Sequence, residues 1–364
     1  MKKVFLHAYD KQNLGDDLFV RTITARYPHA RFYWRTEDAN RQIFSDVPNL
    51  KVISPEPAAA RLLKAIRESL AVRFLRWQEK RCDASVYIGG SIFMEYPQWR
   101  QFCEGWTFRA ENYRFFALGA NFGPYHDPDY PPAMGQIFQK MQDVCFRDRF
   151  SYDLFPQVST VRYAPDILFS YPMPQAAVKE KQIFVSVINC AARDEAHGLS
   201  ACHQRYVTNM ARLLEGYLED GFSVVLASFC KAEGDEDGIA AILEAMNRPN
   251  DPAISTLYYD GTNTLAVTTA MAESAYVIGT RFHAVVLALA AGRPVLPIIY
   301  SDKTKHLLQD LGFCGTCFDL RQEGQWDYPL SRRNYDHPQP PLDPQLRQQA
   351  QCHFAQLDIL LNGR

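Results

Sequence analysis

The chain has 364 residues, which exceeds one typical domain and fits two of roughly 150–200 residues each. Hydrophobic residues make up 47% of it and charged residues 22%, the composition of an ordinary globular protein with material for two cores. The formal net charge of −2 gives no general attraction to nucleic acid, which needs a concentrated basic surface.

No targeting or membrane-spanning segment is expected. The start carries two lysines and a short apolar run broken by His7 and Asp10, which does not fit a secretory signal. No stretch approaches the roughly 20 apolar residues that span a bilayer. The nine cysteines are scattered, as in a reducing compartment. Cys314 and Cys317 form one close pair, which is either half of a zinc or redox site or two unremarkable thiols. We expect a cytoplasmic protein.

Short β-rich runs alternate with longer amphipathic stretches in the first half of the chain. This alternation predicts a parallel sheet with crossover helices. The predicted strands are residues 4–9, 86–88, 114–118, 144–146 and 161–163, and a helix is predicted over 16–26.

The same rhythm restarts after a linker-like stretch at 170–181. We expect an N-terminal Rossmann-like domain at 1–172 and a C-terminal one at 173–364, in a GT-B-like arrangement with ligands bound in an interdomain cleft. A final helix at about 344–361 is predicted to pack back on the first domain. The other predicted strands are 183–188, 223–227, 276–278 and 295–300, and the predicted helices are 203–218, 264–273, 282–291 and 304–311.

The strongest local signal is Gly279-Thr280-Arg281-Phe282-His283, where a buried strand gives way to a helix. Such a corner aims backbone N–H groups and the positive end of the helix dipole at one point, which favours an anion. Arg281 adds a charged fork suited to phosphate or carboxylate, and His283 adds a group that titrates near neutrality. The alternative is that Arg281 pairs with an acid and His283 is a core histidine.

Three weaker signals lie after other strands. Asn13-Leu14-Gly15-Asp16-Asp17 follows the opening strand, where Asp16 is expected to bind a ligand or to cap the helix. Gly89-Gly90-Ser91 is either a ligand-binding turn or an ordinary tight turn. Arg147 faces the expected cleft or forms a surface pair with an aspartate. Lys303 adds a cation after the strand at 295–300.

Taken in order, these motifs resemble the polysaccharide pyruvyl transferase family over roughly residues 4–313. Gln12 stands where members usually carry a glycine. The matching residues are Asn13-Leu14-Gly15-Asp16-Asp17, Ile88-Gly89-Gly90-Ser91, Gly119 with Gly123-Pro124, Arg147-Asp148 with Ser151, Pro165-Asp166, Gly279-Thr280-Arg281-Phe282-His283, and Tyr300 with Lys303.

The resemblance implies transfer of a pyruvyl group from phosphoenolpyruvate to a sugar of an exopolysaccharide or cell-surface glycan precursor, forming a cyclic ketal and releasing phosphate. It implies no cofactor or metal beyond that donor substrate. Catalysis would rest on His283 and Arg281. The implied donor-binding residues are Arg147, Arg281, Phe282, Thr280, Gly279 and Lys303, and the acceptor-binding residues are Asn13, Asp16, Asp17, Gly90 and Ser91.

Two other functions remain open at this stage. One is a GT-B glycosyltransferase with a nucleotide-sugar donor, for which Glu273 or Asp302 would hold the ribose hydroxyls. The other is a non-catalytic scaffold of a polysaccharide assembly complex, whose site residues would be degraded.

Residues 61–81 raise a question about membranes. Apolar residues recur there at helical spacing among seven basic and two acidic residues. The segment is either an ordinary helix packed on the first domain or a basic amphipathic helix on an anionic membrane. The second interpretation would place the protein at the cytoplasmic face of the membrane, where a lipid-linked oligosaccharide is the expected acceptor.

Overall fold

A computed structural model describes residues 1–53, 76–193 and 198–363. The predicted basic helix at 61–81 therefore lies mostly outside the described residues. The chain divides into two compact units. The first contains Met1–Asp10, Asp16–Ile167 and Gln348–Arg364, and the second contains Lys11–Gly15 and Leu168–Arg347.

The first unit contains a seven-stranded sheet in which every pairing is parallel, in the order β3-β2-β1-β4-β5-β6-β7. The central strands are buried on both faces, which explains their nearly continuous apolar sequences. Its strands are β1 (Lys3–His7), β2 (Arg31–Arg35), β3 (Leu50–Ile53), β4 (Ala84–Ile88), β5 (Phe115–Ala120), β6 (Asp143–Phe146) and β7 (Val161–Tyr163).

The second unit contains a six-stranded parallel sheet in the order β10-β9-β8-β11-β12-β13. In both sheets the first strand lies in the interior, and the chain winds outwards from it in each direction. This is the doubly wound Rossmann order. The strands are β8 (Lys179–Ser186), β9 (Ser223–Ser228), β10 (Ile254–Tyr258), β11 (Ser274–Gly279), β12 (Val295–Ile299) and β13 (Phe318–Asp319).

Helices supply the crossovers between these parallel strands. The described helices up to residue 153 are α1 (Leu14–Arg26), α2 (Ala39–Ile43), α3 (Trp99–Asn112), α4 (Tyr130–Phe138) and α5 (Arg149–Asp153). The later helices are α6 (His203–Glu219), α7 (Asp235–Ala245), α8 (Thr264–Glu273), α9 (Phe282–Ala290), α10 (Asp302–Asp310), α11 (Tyr328–Asp336), α12 (Leu346–Gln351) and α13 (Ala355–Asn362). No helix in the described ranges is both long and apolar enough to cross a membrane.

The C-terminal segment Gln348–Arg364 is fastened to the first unit by polar contacts. Asp358 accepts from Arg26 at 2.6 Å and from the Tyr27 hydroxyl at 2.8 Å. His353 is fully buried, and its Nε2 donates to the Pro165 carbonyl at 2.9 Å. Burial lowers the pKa of His353 to about 3, so the ring is neutral at physiological pH.

Candidate active site

The ligand-binding edge of a doubly wound sheet lies at the carboxyl ends of the strands, where the chain reverses its winding direction. In the second sheet this point lies between β8 and β11, whose last residues, Ser186 and Gly279, are paired in register. The five-residue motif found in the sequence begins at this point. The fold therefore puts Gly279-Thr280-Arg281-Phe282-His283 where ligands bind in this architecture.

Ser186 holds the corner backbone in place. Its hydroxyl oxygen accepts from the Thr280 N–H at 3.0 Å and from the Arg281 N–H at 3.1 Å. A Cβ on Gly279 would lie 2.9 Å from a methyl group of Val285, so only glycine lets α9 approach the strand this closely. Two of the N–H groups expected to cradle an anion are thus directed at Ser186.

Arg281 is buried and bound to two carboxylates. Its Nε donates to Asp235 Oδ2 at 2.9 Å, and its terminal nitrogens contact Asp235 and Glu233. The pairing of Arg281 with acids was one of the two sequence interpretations, and the structure contains it. Burial alone would lower the pKa of Arg281, but Asp235 and Glu233 hold it well above its ordinary value.

Both carboxylates are fixed by further contacts. Asp235 is fully buried at the start of α7 and accepts from the backbone N–H groups of Phe229 and Cys230, each at 2.9 Å. Glu233 also pairs with Arg193. Burial opposes ionisation of Glu233, but the cations around it lower its pKa far below the usual range. Arg281 is therefore a fixed and fully ionised part of the site.

Tyr300 lies among cations just after β12. Lys303 Nζ is 5.3 Å and the Arg193 guanidinium 5.5 Å from the centre of its ring, and Lys303 is also 5.8 Å from the Phe282 ring. Burial opposes ionisation of the phenol, but three surrounding cations outweigh it and lower the pKa of Tyr300. With Arg281, the described cluster has three cations against two carboxylates, one positive charge in excess.

His283 occupies the first turn of α9 and is partly exposed. Its ring rests against the backbone of Gly15, where an added Cβ would overlap Nδ1. The imidazole also contacts the Phe282 ring in a T-shaped arrangement, with centroids 5.2 Å apart. The ring is therefore held by neighbours but not sealed in apolar packing, as a proton-transfer group requires.

Lys11–Gly15 belongs to the second unit and lies beside these residues. The Leu14 N–H donates to the Phe229 carbonyl at 3.0 Å. Asn13 Oδ1 accepts from the Gly15 N–H at 3.1 Å, so Asn13, rather than the expected Asp16, caps α1. Gln12 has φ 51°, a left-handed conformation that glycine adopts easily. This explains why a glycine would suit that position.

The remaining predicted residues lie in the first unit. Gly90 packs against the guanidinium of Arg147, where a Cβ would overlap the nitrogens. Arg147 donates to Asp166 at 3.0 Å and to Asn121 at 2.8 Å. Arg147 is 4% exposed, so its aspartate pair is buried and not the surface pair considered from sequence.

The two aspartates after β1 differ in exposure. Asp16 is partly exposed, and its carboxylate lies 3.9 Å from the Cβ position of Gly89. Asp17 is fully buried, so a direct contact between its side chain and a sugar would require a change from the structure described here. Ser91 is exposed and contacts Asn121 at 3.5 Å.

Sequence reasoning missed Ser186, Arg193, Glu233 and Asp235. Glu233 and Asp235 flank Gly234, which follows β9 and has φ 76°. A glycine between two acidic residues at the carboxyl end of a strand was the signal that could have indicated them. Within the described ranges, no three His, Cys, Asp or Glu side chains form a group able to hold a metal ion. Cys314 and Cys317 are exposed free thiols.

Solved structures share this fold at low sequence identity. UDP-GlcNAc 2-epimerase from Neisseria meningitidis, bound to UDP-GlcNAc, has a TM-score of 0.59 at 10% identity, with 98% of this chain and 99% of that chain covered. Anabaena Alr3699/HepE, in complex with UDP and glucose, has a TM-score of 0.56 at 12% identity, with coverage of 100% and 97%. The fold class, two Rossmann-like domains of GT-B-like type, is thereby confirmed.

The fold and the site define an α/β protein with a cationic, histidine-bearing corner at the carboxyl edge of its second sheet. Residues 13–302 match the polysaccharide pyruvyl transferase family. The match covers most of the chain and includes every residue predicted for the site except Lys303. The chain therefore belongs to the polysaccharide pyruvyl transferase family.

Proposed function

We propose that this protein transfers the pyruvyl group of phosphoenolpyruvate to two hydroxyls of one sugar, forming a cyclic ketal. The observation that carries the proposal is the partly exposed His283 imidazole beside a net-positive cluster, in a chain of this family. Phosphoenolpyruvate brings a phosphate and a carboxylate, and a cluster with one positive charge in excess attracts a small anion.

The reaction balances without a cofactor. The C3 methylene of phosphoenolpyruvate takes up a proton, and a sugar hydroxyl oxygen bonds to C2. The bond between C2 and the phosphate oxygen breaks, and the second hydroxyl closes the ring on C2. Of the two hydroxyl protons, one ends on the new methyl group and the other on phosphate.

His283 is the proposed proton carrier, because it combines partial exposure with a fixed ring. General acid–base catalysis of this kind contributes about 10²–10⁴ in rate. Arg281, Arg147 and Lys303 would stabilise the donor's negative charge, with Arg193 as an addition from the structure. Gly279, Thr280 and Phe282 shape the corner. Asn13, Asp16, Asp17, Gly90 and Ser91 remain the proposed acceptor side, with the buried Asp17 acting on the fold of this side and not on the sugar.

The rival activity is glycosyl transfer from a nucleotide sugar. Glu273, one candidate for the ribose hydroxyls, pairs with Lys179 at 2.6 Å. Lys179 begins β8, so this pair lies at the amino edge of the sheet, opposite the ligand-binding edge. Asp302 pairs with Arg321 at 2.8 Å. Neither contact favours a nucleotide sugar.

The acceptor is proposed to be a precursor of a cell-surface glycan, with a lipid-linked oligosaccharide as the specific candidate. Such an acceptor would bring the protein to the cytoplasmic face of the membrane. Co-sedimentation with anionic vesicles, compared with neutral ones, tests that location. Equal sedimentation with both would remove it.

Phosphate release tests the function. Purified protein is incubated with phosphoenolpyruvate alone, with candidate acceptor sugars alone, and with both. We expect phosphate only when both are present. Release of nucleoside diphosphate from UDP-sugars and acceptor, with no phosphate from phosphoenolpyruvate under any condition, would identify a glycosyltransferase instead.

A further inference from the structure

The first unit contains a cavity of about 260 Å³, and Ser91 is the only described residue lining it that has a predicted role. It lies between the turn that follows β4 and the first half of α3. We refer to it as the aromatic pocket, and the side chains that matter here are Tyr87, Ser91, Tyr96, Trp99, Phe102 and Trp106.

Two pairs of contacting rings line the aromatic pocket, and we call the first pair its wall and the second, more exposed pair its rim. Tyr87 and Trp106 stack with centroids 5.5 Å apart and an interplanar angle of 24°. The ring centroids of Tyr96 and Phe102 are 5.4 Å apart, and the two side chains are 47% and 51% exposed. Two exposed aromatic rings that contact each other and line a cavity favour a binding surface.

The aromatic pocket is lined by aromatic, apolar and uncharged polar side chains. Among the described residues that line it there is no Asp, Glu, Lys, Arg or His. The hydroxyls of Tyr87 and Tyr96 make no hydrogen bond with any other described residue. The indole N–H of Trp99 is directed at Asp127, at 3.1 Å. The wall and the rim therefore present ring faces together with hydroxyl groups that retain their capacity to bond a ligand.

The pocket adjoins the proposed acceptor residues. Ser91 lines the pocket and is also one of the acceptor residues. Tyr87 is two positions before Gly89, whose Cβ position lies 3.9 Å from the Asp16 carboxylate. Burial is the main cause of the raised pKa of the Tyr87 phenol; the charge of Arg109 lowers this pKa, and the charge of Asp16 raises it. A ligand in the pocket would thus have its edge near Ser91 and Asp16.

We propose that the aromatic pocket binds one uncharged sugar ring of the acceptor. A sugar has C–H faces that pack on aromatic rings and hydroxyl edges that bond tyrosine and serine hydroxyls. A phosphate or carboxylate would find no cation among the residues that line the pocket, since the nearby Arg100 is stacked on the Trp99 ring, and a lipid chain would leave the hydroxyls without partners. Calling this sugar the acceptor rests on the proposed function; the binding itself does not.

Tryptophan emission tests binding without any donor, because Trp99 and Trp106 line the pocket. Methyl glycosides of neutral hexoses and of hexuronic acids, and a short prenyl alcohol, are titrated separately into the full chain. We expect a saturable change with at least one neutral glycoside and none with the hexuronates or the alcohol. The change should be lost in Tyr96→Ala and kept in Tyr258→Ala, a matched exposed tyrosine on β10, 43% exposed.

Kinetics separate this inference from the proposed function. In Tyr96→Ala we expect the KM for the acceptor to rise about three- to tenfold, the effect of losing one aromatic contact, with kcat and the KM for phosphoenolpyruvate unchanged. Turnover by Tyr96→Ala with an unchanged KM for the acceptor overturns the pocket assignment. A change in tryptophan emission with only the hexuronates or the alcohol overturns it as well. Sugar binding without turnover upholds it and removes the proposed function.

Discussion

At the scale of single residues, the contact between His283 and Gly15 decides how the site is built. Gly15 is the second residue of α1, and alanine is the better helix former, by up to about 1 kcal/mol in a helix interior. The imidazole ring occupies the space that an alanine methyl group would need. Glycine at this position lowers the stability of the helix but leaves space for the His283 ring.

The first prediction concerns His283 itself. If its ring carries the proton, His283→Ala lowers kcat by about 10²–10⁴, because general acid–base catalysis contributes that much. The thermal unfolding midpoint should change little, since the side chain is partly exposed. His29→Ala, an exposed histidine in the first unit, is the matched control and should keep full activity. Wild-type kcat in the His283 variant would end this assignment.

The second prediction uses Gly15→Ala. The new methyl group displaces the His283 ring, and displacement by about 1 Å can cost roughly a hundredfold in rate, so we expect kcat to fall by about ten- to a hundredfold. Gly105→Ala is the control, because a Cβ there meets only Arg109, at 3.8 Å. That variant should keep its activity and gain about 0.5–1 kcal/mol of stability. Equal activity in the two variants contradicts the account.

The sequence located the corner residues but not their partners. Arg281 and His283 are two positions apart on one turn, so local reasoning can find them. Asp235 is 46 positions from Arg281 and Ser186 is 95, and only the pairing of the strands brings them together. Whether Arg281 binds an external anion or internal carboxylates depends on these distant residues, which is why the sequence left both interpretations open.

At the scale of elements, the turn from β11 into α9 depends on Ser186. Its hydroxyl accepts from two consecutive backbone N–H groups in a fully buried position. Removing an acceptor and leaving buried donors unsatisfied is costly.

A third prediction follows for Ser186→Ala. We expect the free energy of unfolding to fall by about 1–3 kcal/mol, with a loss of activity because the corner shifts. Ser223→Ala provides the comparison, since Ser223 begins β9 in the same sheet and is partly exposed. Urea denaturation of both variants measures the difference. A cost no larger for Ser186→Ala than for Ser223→Ala is incompatible with this role.

Most of the described strands were predictable from the sequence, the edge strand β7 among them, but β2, β3, β10 and β13 were not. The predicted bounds of β7 and α8 match the structure, and those of α6 and α9 differ by one residue. The edge strands β3 and β10 were missed, because each is partly exposed and has an irregular apolar pattern. The predicted C-terminal helix is divided into α12 and α13 by a short 3₁₀ turn.

At the scale of the whole molecule, both units repeat one winding order, and the C-terminal segment completes the first. His353 belongs to this segment and is neutral and buried, with its pKa lowered to about 3. In the unfolded chain it regains its ordinary pKa of 6.5. Between these values the unfolded chain binds a proton that the folded chain does not, so this histidine makes stability fall as the pH falls below about 6.5.

The fourth prediction compares the wild type with His353→Gln, which has no titratable group at this position. Between about pH 6 and pH 5, the wild type should lose about 1.2 kcal/mol more than the variant. Urea denaturation at several pH values gives both slopes, and every other titrating group contributes equally to them. Parallel slopes would show that His353 is not held neutral by the fold.

The fate of the donor's carbon tests the proposed reaction most directly. Phosphoenolpyruvate labelled with carbon-13 at C2 is incubated with the protein and an acceptor sugar, and the product is followed by NMR. We expect the label in a quaternary ketal carbon joined to two sugar oxygens, and this product should form about 10²–10⁴ times more slowly with His283→Ala. Label recovered only as phosphoenolpyruvate or free pyruvate, while the same acceptor gains a sugar from a UDP-sugar, would contradict the account.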